Sequence, residues 1–111
     1  MSTFGTFASG FTVDEEAQER NLGEFRPNNS KILHFKLYAV GSGAAIVRRF
    51  RRSNREPDVV AVVTSSDAGD LSFEWDEWHH EHREDDWMTL VAAWAVATVT
   101  ADGVIRAGAQ S

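Results

Sequence analysis

Beyond residue 30, apolar and polar residues alternate along most of the chain, and a period of two is typical of strands that bury one face. The first alternating segment, Ile32–Val40, predicts a strand with Leu33, Phe35 and Leu37 on its buried face. Ala44–Arg52 predicts a second strand, and the glycines before it are typical of a hairpin loop. The two strands are therefore expected to pair in an antiparallel arrangement.

Two further strands are predicted in the middle of the chain. The run Asp58–Thr64 is mostly apolar, which favours a central strand that is covered on both faces. Leu71–Trp78 alternates again, with Phe73 and Trp75 on the apolar face and acidic residues on the other. A loop that contains Gly69 separates the two strands.

The segment Asp86–Thr100 fits two structures. Its four alanines and the spacing of its tryptophans favour a helix, whereas β-branched residues crowd its second half. Asp102-Gly103 follows, and this dipeptide is a strong hairpin signal. We favour strands, with Trp94–Ala101 pairing to Val104–Ala107, because a helix would leave that turn signal unused.

The first 30 residues predict an N-terminal arm. Phe4 and Phe7 lie among small residues, which suits a short strand or a packing arm. A capping-box pattern that begins at Thr12 predicts a short helix through Glu16–Asn21. Residues 31–111 then form the main domain, and we expect a mostly β fold: a small antiparallel β-sandwich (Ig-like) or barrel, with one short N-terminal helix.

Length and composition narrow the class of protein. The 111 residues suffice for one domain, and 42% apolar with 25% charged residues is typical of a globular chain. The absence of cysteine excludes disulfides and cysteine-ligated metal sites. No apolar run is long enough to span a membrane, and the first residues lack the pattern of a signal peptide. We therefore expect neither membrane association nor secretion by a signal peptide.

Charge is distributed in two adjacent blocks. Lys31 to Arg55 contains seven basic residues and no acidic ones, whereas Glu56 to Asp86 contains eleven acidic residues and Arg83 alone among basic ones. We expect the oppositely charged strands to pair within the domain, each pair contributing about 0.2–1 kcal/mol. A bipolar surface that orients the protein against partners is the alternative. The net charge of −6 argues against nucleic acid as a partner.

Basic and aromatic residues supply the candidate interaction sites. The arginines around Phe50 suit ion pairs within the domain, pairs between subunits or, less well, phosphate contacts. Two tryptophans flank a polar loop predicted over residues 78–86 and suit interface anchors or, together with Tyr38, a platform for carbohydrate. The candidate interaction residues are Phe4, Phe7, Arg49, Arg51, Arg52, Trp78 and Trp87.

The polar loop also contains three histidines within four positions, and imidazole binds several transition metals. Only His80 and His82 would share a face of a strand, so they are weak metal candidates and we expect no metal or other cofactor. No carboxylate pair, serine or glycine-rich segment fits a catalytic motif. The sequence therefore predicts a protein without enzymatic activity.

Three motifs occur in order along residues 31–106: the alternating strand Ile32–Tyr38, the segment Gly69–Trp75, and Ala97–Val104 with its Asp-Gly pair. This layout resembles small β-sandwich proteins of tailed-phage virions, of the neck, tail or upper-baseplate type. The resemblance implies a structural or adaptor protein of phage or prophage origin, located in the virion or the host cytoplasm. Its expected partners are other virion proteins or copies of itself in a homo-oligomer.

Three other functions stay open at this point. The first is a module that binds carbohydrate or another small ligand through the tryptophans. The second is a small metal-dependent protein that uses the histidines. The third is a phage-encoded inhibitor of a host protein, since acidic surfaces can imitate nucleic acid.

Overall fold

The computed structural model describes residues 7–12, 18–40, 43–50, 57–65, 70–82 and 86–103. In this part of the chain, a five-stranded antiparallel sheet has its strands in chain order, and a long helix follows it. The strands are β1 (Glu19–Phe25), β2 (His34–Val40), β3 (Ala44–Phe50), β4 (Asp58–Ser65) and β5 (Leu71–Trp75). The helices are a short α1 (Glu77–Glu81) and α2 (Asp86–Asp102), and a 3-10 turn spans Pro27–Asn29.

The alternation in the sequence predicts β2 to β5 correctly. Phe35 and Leu37 are fully buried on one face of β2, as the pattern indicates. β4 is an interior strand between β3 and β5, and its apolar run is buried on both faces of the sheet because different layers cover each face. β5 ends at Trp75, earlier than predicted, because the next residues form α1.

α2 covers one face of the sheet and forms the main core with it. Two of its tryptophans stack on phenylalanines of the sheet: Trp87 on Phe35 at 5.4 Å between ring centroids, and Trp94 on Phe25 at 5.2 Å. The buried residues of this core are Phe35, Leu37, Ala45, Val47, Val60, Ala61, Val63, Trp75, Met88, Val91, Ala95 and Val99. The helix therefore crosses the sheet from the β5 side to the β1 side.

The N-terminal arm covers part of the opposite face. Phe7 is 4% exposed and contacts Phe11 edge to face, with 5.8 Å between the ring centroids. A second, smaller core joins Phe7 to Val40, Ile46, Val59 and Val62 of the sheet. Ser9 anchors the arm, because its backbone N–H and hydroxyl both donate to the carboxylate of Glu74 on β5.

The prediction of strands over residues 86–100 is wrong, since this segment lies in α2. Asp102-Gly103 ends the helix instead of turning a hairpin: Gly103 has a φ of 78° and its N–H donates to the carbonyl of Val99. Thr100 fits the helix by donating its hydroxyl to the carbonyl of Val96. Burial of one side of the segment against the sheet outweighs the weak helix propensity of its β-branched residues. The predicted return strand, residues 104–107, lies outside the described residues.

The predicted N-terminal helix is also wrong for the residues that can be compared. Glu19 to Asn21 belong to β1, which pairs with β2 from Glu19 to Phe25, whereas residues 13–17 lie outside the described part. The mostly β, antiparallel character is confirmed. A sandwich or barrel is not confirmed, because the described strands form one sheet with a C-terminal helix on one face.

The expected pairing of basic and acidic blocks occurs in part. Arg49 lies directly opposite Asp58 in the register of β3 and β4. Arg48, however, binds Glu19 of β1 at 2.6 Å, outside the acidic block. Arg20 binds Asp102 at the end of α2 at 2.9 Å, and this hydrogen bond, together with the carboxylate charge, raises the pKa of Arg20.

Among the described residues, neither helix combines the length and apolarity needed to cross a membrane.

Candidate functional site

The start of α1 is fixed to the sheet by Asp76, the residue that follows β5. Its carboxylate caps the helix by accepting a hydrogen bond of 2.9 Å from the backbone N–H of His79. Its own backbone N–H donates to the carbonyl of Val60 at 2.8 Å. Val60 is the extra residue of a β-bulge, because Ala61 and Val59 pair with consecutive residues of β3. Asp76 is only 8% exposed, so the bulge and the cap together form a buried junction.

His79 lies at the centre of this junction and is 4% exposed. Its Nδ1 is 2.7 Å from Oδ1 of Asp76, and its ring is stacked on Trp75 with 5.5 Å between centroids. Its Nε2 is 3.5 Å from Nη1 of Arg49. The tautomer with its proton on Nδ1 fits both contacts, since Nδ1 then donates to Asp76 and Nε2 can accept from the guanidinium.

A cleft of about 380 Å³ lies beside His79, between α1, the start of α2 and the end of β3. We call it the tryptophan cleft. The guanidinium of Arg49 lies over the ring of Trp87, 5.4 Å from its centroid, which is a cation–π distance. The residues that line the cleft are Arg49, Trp78, His79, Glu81, His82, Trp87 and Met88.

Trp78 stands at the rim of the tryptophan cleft and is 58% exposed. One face of its indole is stacked on His82, with 4.1 Å between ring centroids and 16° between planes. His82 is held in turn, because its Nδ1 lies 2.6 Å from the carbonyl oxygen of Trp78. The exposed indole is therefore held in place by its neighbours.

The cleft offers apolar contact area together with hydrogen-bonding groups of both kinds. Trp78 supplies the exposed aromatic surface, and the lining also includes a cationic side chain, Arg49, and a carboxylate, Glu81. This combination is typical of surfaces that bind proteins or small amphipathic ligands.

The structure brings together three of the predicted interaction residues, Arg49, Trp78 and Trp87, from β3, α1 and α2. It places Phe7 elsewhere, in the core under the arm. Phe4, Arg51 and Arg52 lie outside the described residues. Tyr38, considered with the two tryptophans as a platform for carbohydrate, lies apart from them on the arm-covered face of the sheet.

His80 and His82, the weak metal candidates, do not share the face of a strand. Residues 78–81 belong to a helix and not to a solvated loop, and side chains two positions apart on a helix point in different directions. His80 accordingly lines a neighbouring groove, whereas His82 lines the tryptophan cleft. Within the described part of the chain, no group of three His, Asp or Glu side chains is arranged to hold a metal ion.

The buried pair Asp76–His79 is the element of the site that the sequence interpretation missed. A usable signal was present, since an aspartate three residues before the capped N–H is typical of a helix start.

Comparisons of the chain with protein-family models, curated proteins and solved structures found no significant match.

Proposed function

We propose that this protein is a non-enzymatic adaptor that acts through protein–protein contacts and docks its partner on the tryptophan cleft. The observation that carries the proposal is the exposed Trp78, stacked on His82 at the rim of a cleft that also contains Trp87 and Arg49.

Tryptophan and arginine are the residue types most enriched among those that dominate binding energy at protein interfaces. An indole that is already held by stacking loses little conformational freedom on binding, which reduces the entropic cost of docking. Trp78 satisfies both conditions, because His82 holds one face of its ring and more than half of the side chain is open to solvent.

The setting that we propose is the assembly of a tailed-phage virion, with other virion proteins or further copies of this chain as partners. The first two motifs of the resemblance, Ile32–Tyr38 and Gly69–Trp75, support this proposal, because their described residues include the strands β2 and β5. The third motif of the resemblance does not support it, because residues 97–102 are helical.

Photo-crosslinking from the rim of the cleft tests the proposal. A benzoylphenylalanine at position 78, incorporated during phage growth, should crosslink to one defined virion protein or to a second copy of this chain. The same probe at position 32, where Ile32 is 65% exposed and distant in sequence, is the control and should not give that product. Equal or absent crosslinking at the two positions would contradict the proposal. A saturable change of tryptophan fluorescence with a glycan panel would contradict it as well and would favour a carbohydrate-binding module.

A further inference from the structure

A second concave surface runs along the outer edge of β5 and is larger than the tryptophan cleft, with a volume of about 790 Å³. Phe73 and Glu74 of β5 form one wall, and Met88 and Ala92 of α2 form another. Ala8 of the arm borders it as well. We call it the β5 groove. The β5 groove therefore follows the edge of the sheet, and the N-terminal arm and α2 border it.

β5 is an edge strand, since in the described part of the chain it pairs with β4 alone. An edge strand presents unpaired backbone groups to which another extended segment can bind. The opposite edge is less suitable, because β1 has an irregular register between Asn21 and Gly23 and several charged residues. No such irregularity occurs between β4 and β5.

The groove carries negative charge. Glu74, Glu77 and Glu81 line it, and among the described residues that line it His80 is the one potentially basic side chain. Glu77 and Glu81 are exposed and project from the same short helix beside the end of β5. Electrostatic complementarity therefore favours a basic ligand.

We propose that the β5 groove binds an extended, basic segment of a partner protein, which adds to the sheet as a sixth strand. Alternate side chains of the segment contact the apolar wall at Phe73 and Ala92, and basic side chains pair with the glutamates. A second copy of this chain is a poorer occupant, because two β5 edges in contact would bring like-charged carboxylates together. This site goes beyond the docking surface of the proposed function and does not depend on it.

Binding of a defined peptide tests the inference. The probe is a blocked, fluorescein-labelled heptapeptide of alternating lysine and valine, measured by fluorescence anisotropy with the full chain. We expect it to bind at least about tenfold more tightly than a glutamate–valine peptide of equal length. A version N-methylated at alternate backbone nitrogens should bind about tenfold more weakly when the methyls face β5, because strand addition requires those donors. Equal affinity of all three peptides would overturn the inference.

Matched variants then locate the peptide. Ala92→Phe fills the groove and should weaken binding about tenfold, whereas Ala93→Phe, on the exposed side of the same helix, should leave it unchanged. Glu77→Gln should also weaken peptide binding, and it leaves the core unaltered because Glu77 is exposed. This variant therefore tests the inference even if Ala92→Phe does not fold. Trp78→Ala should bind the peptide normally, so failure of the proposed function and failure of this inference are distinguishable. Normal peptide binding by both Ala92→Phe and Glu77→Gln would exclude the β5 groove as the site.

Discussion

At the scale of single residues, Asp76 connects the sheet to the candidate site. Oδ1 accepts from both the backbone N–H and the Nδ1 of His79, and the backbone N–H of Asp76 donates to the bulge at Val60. The orientation of His79, and through it the contact with Arg49, therefore depends on one carboxylate. Because both residues are almost fully buried, water cannot replace the carboxylate easily.

Replacing this carboxylate should destabilise the fold. Asp76→Ala removes the cap of α1 and leaves the imidazole N–H of His79 without its acceptor, for which we expect a loss of about 2–4 kcal/mol of unfolding free energy. Asp76→Asn keeps an amide oxygen at this position and should lose less than half as much. Urea unfolding followed by tryptophan fluorescence measures both variants. An unchanged midpoint for Asp76→Ala would show that the junction does not stabilise the fold.

Three residues of the cleft, Arg49, Trp78 and Trp87, were predictable individually but not as a group. Arginine and tryptophan beside a polar segment indicate interaction chemistry by their type alone. That Arg49 meets Trp87 follows from the crossing of α2 over β3, which depends on the whole fold. Phe7 shows the converse, because an aromatic residue in a glycine-rich arm looks available for partners until the sheet face that it covers is known.

At the scale of elements, the decisive ambiguity was the segment of residues 86–100. Asp-Gly serves a hairpin turn and a helix end equally well, since both require a residue with positive φ and glycine provides it. The local sequence is therefore compatible with either element. The sheet decides between them, because the apolar face at Phe35, Leu37 and Val47 needs a cover and the spacing of Met88, Val91, Ala95 and Val99 provides one. The segments of β2, β3 and β5 lacked this ambiguity because their residues alternate with a period of two, whereas part of β1 was predicted as a helix.

The end of α2 gives a prediction at this scale. Gly103→Ala places a side chain at a φ of 78° and should destabilise the protein by about 1–2 kcal/mol, whereas Gly103→Asn should lose less because asparagine tolerates this conformation. Gly43→Ala is the matched control: it has open space around it and no positive φ, so it should be nearly neutral. Thermal unfolding followed by far-ultraviolet circular dichroism measures the stability of all three glycine variants. Equal effects at the two glycines would contradict a left-handed helix end.

At the scale of the whole molecule, the sheet is covered on its two faces by different means. α2 covers one face with a continuous core, whereas the arm covers the other with few residues, chiefly Phe7. Ser9 ties the arm to Glu74, which also lines the β5 groove, so the arm contributes to both the core and the edge of the proposed peptide site. The apolar run Asp58–Thr64 predicted two-sided burial of β4 but did not show which segments cover the two faces.

Loss of Phe7 should therefore affect stability and solubility together. Phe7→Ala removes a nearly buried ring and should reduce the free energy of unfolding by about 3 kcal/mol. It also uncovers Ile46 and Val62, and an apolar patch of that kind promotes self-association. Ile32→Ala, at an exposed apolar position, should change stability by less than about 0.5 kcal/mol and should not self-associate. Urea unfolding and light scattering across a concentration series measure the two effects. If Phe7→Ala matches Ile32→Ala in both measurements, the arm does not form a layer of the core. Of the arm contacts described above, the hydrogen bonds from Ser9 to Glu74 would then be the ones that anchor it.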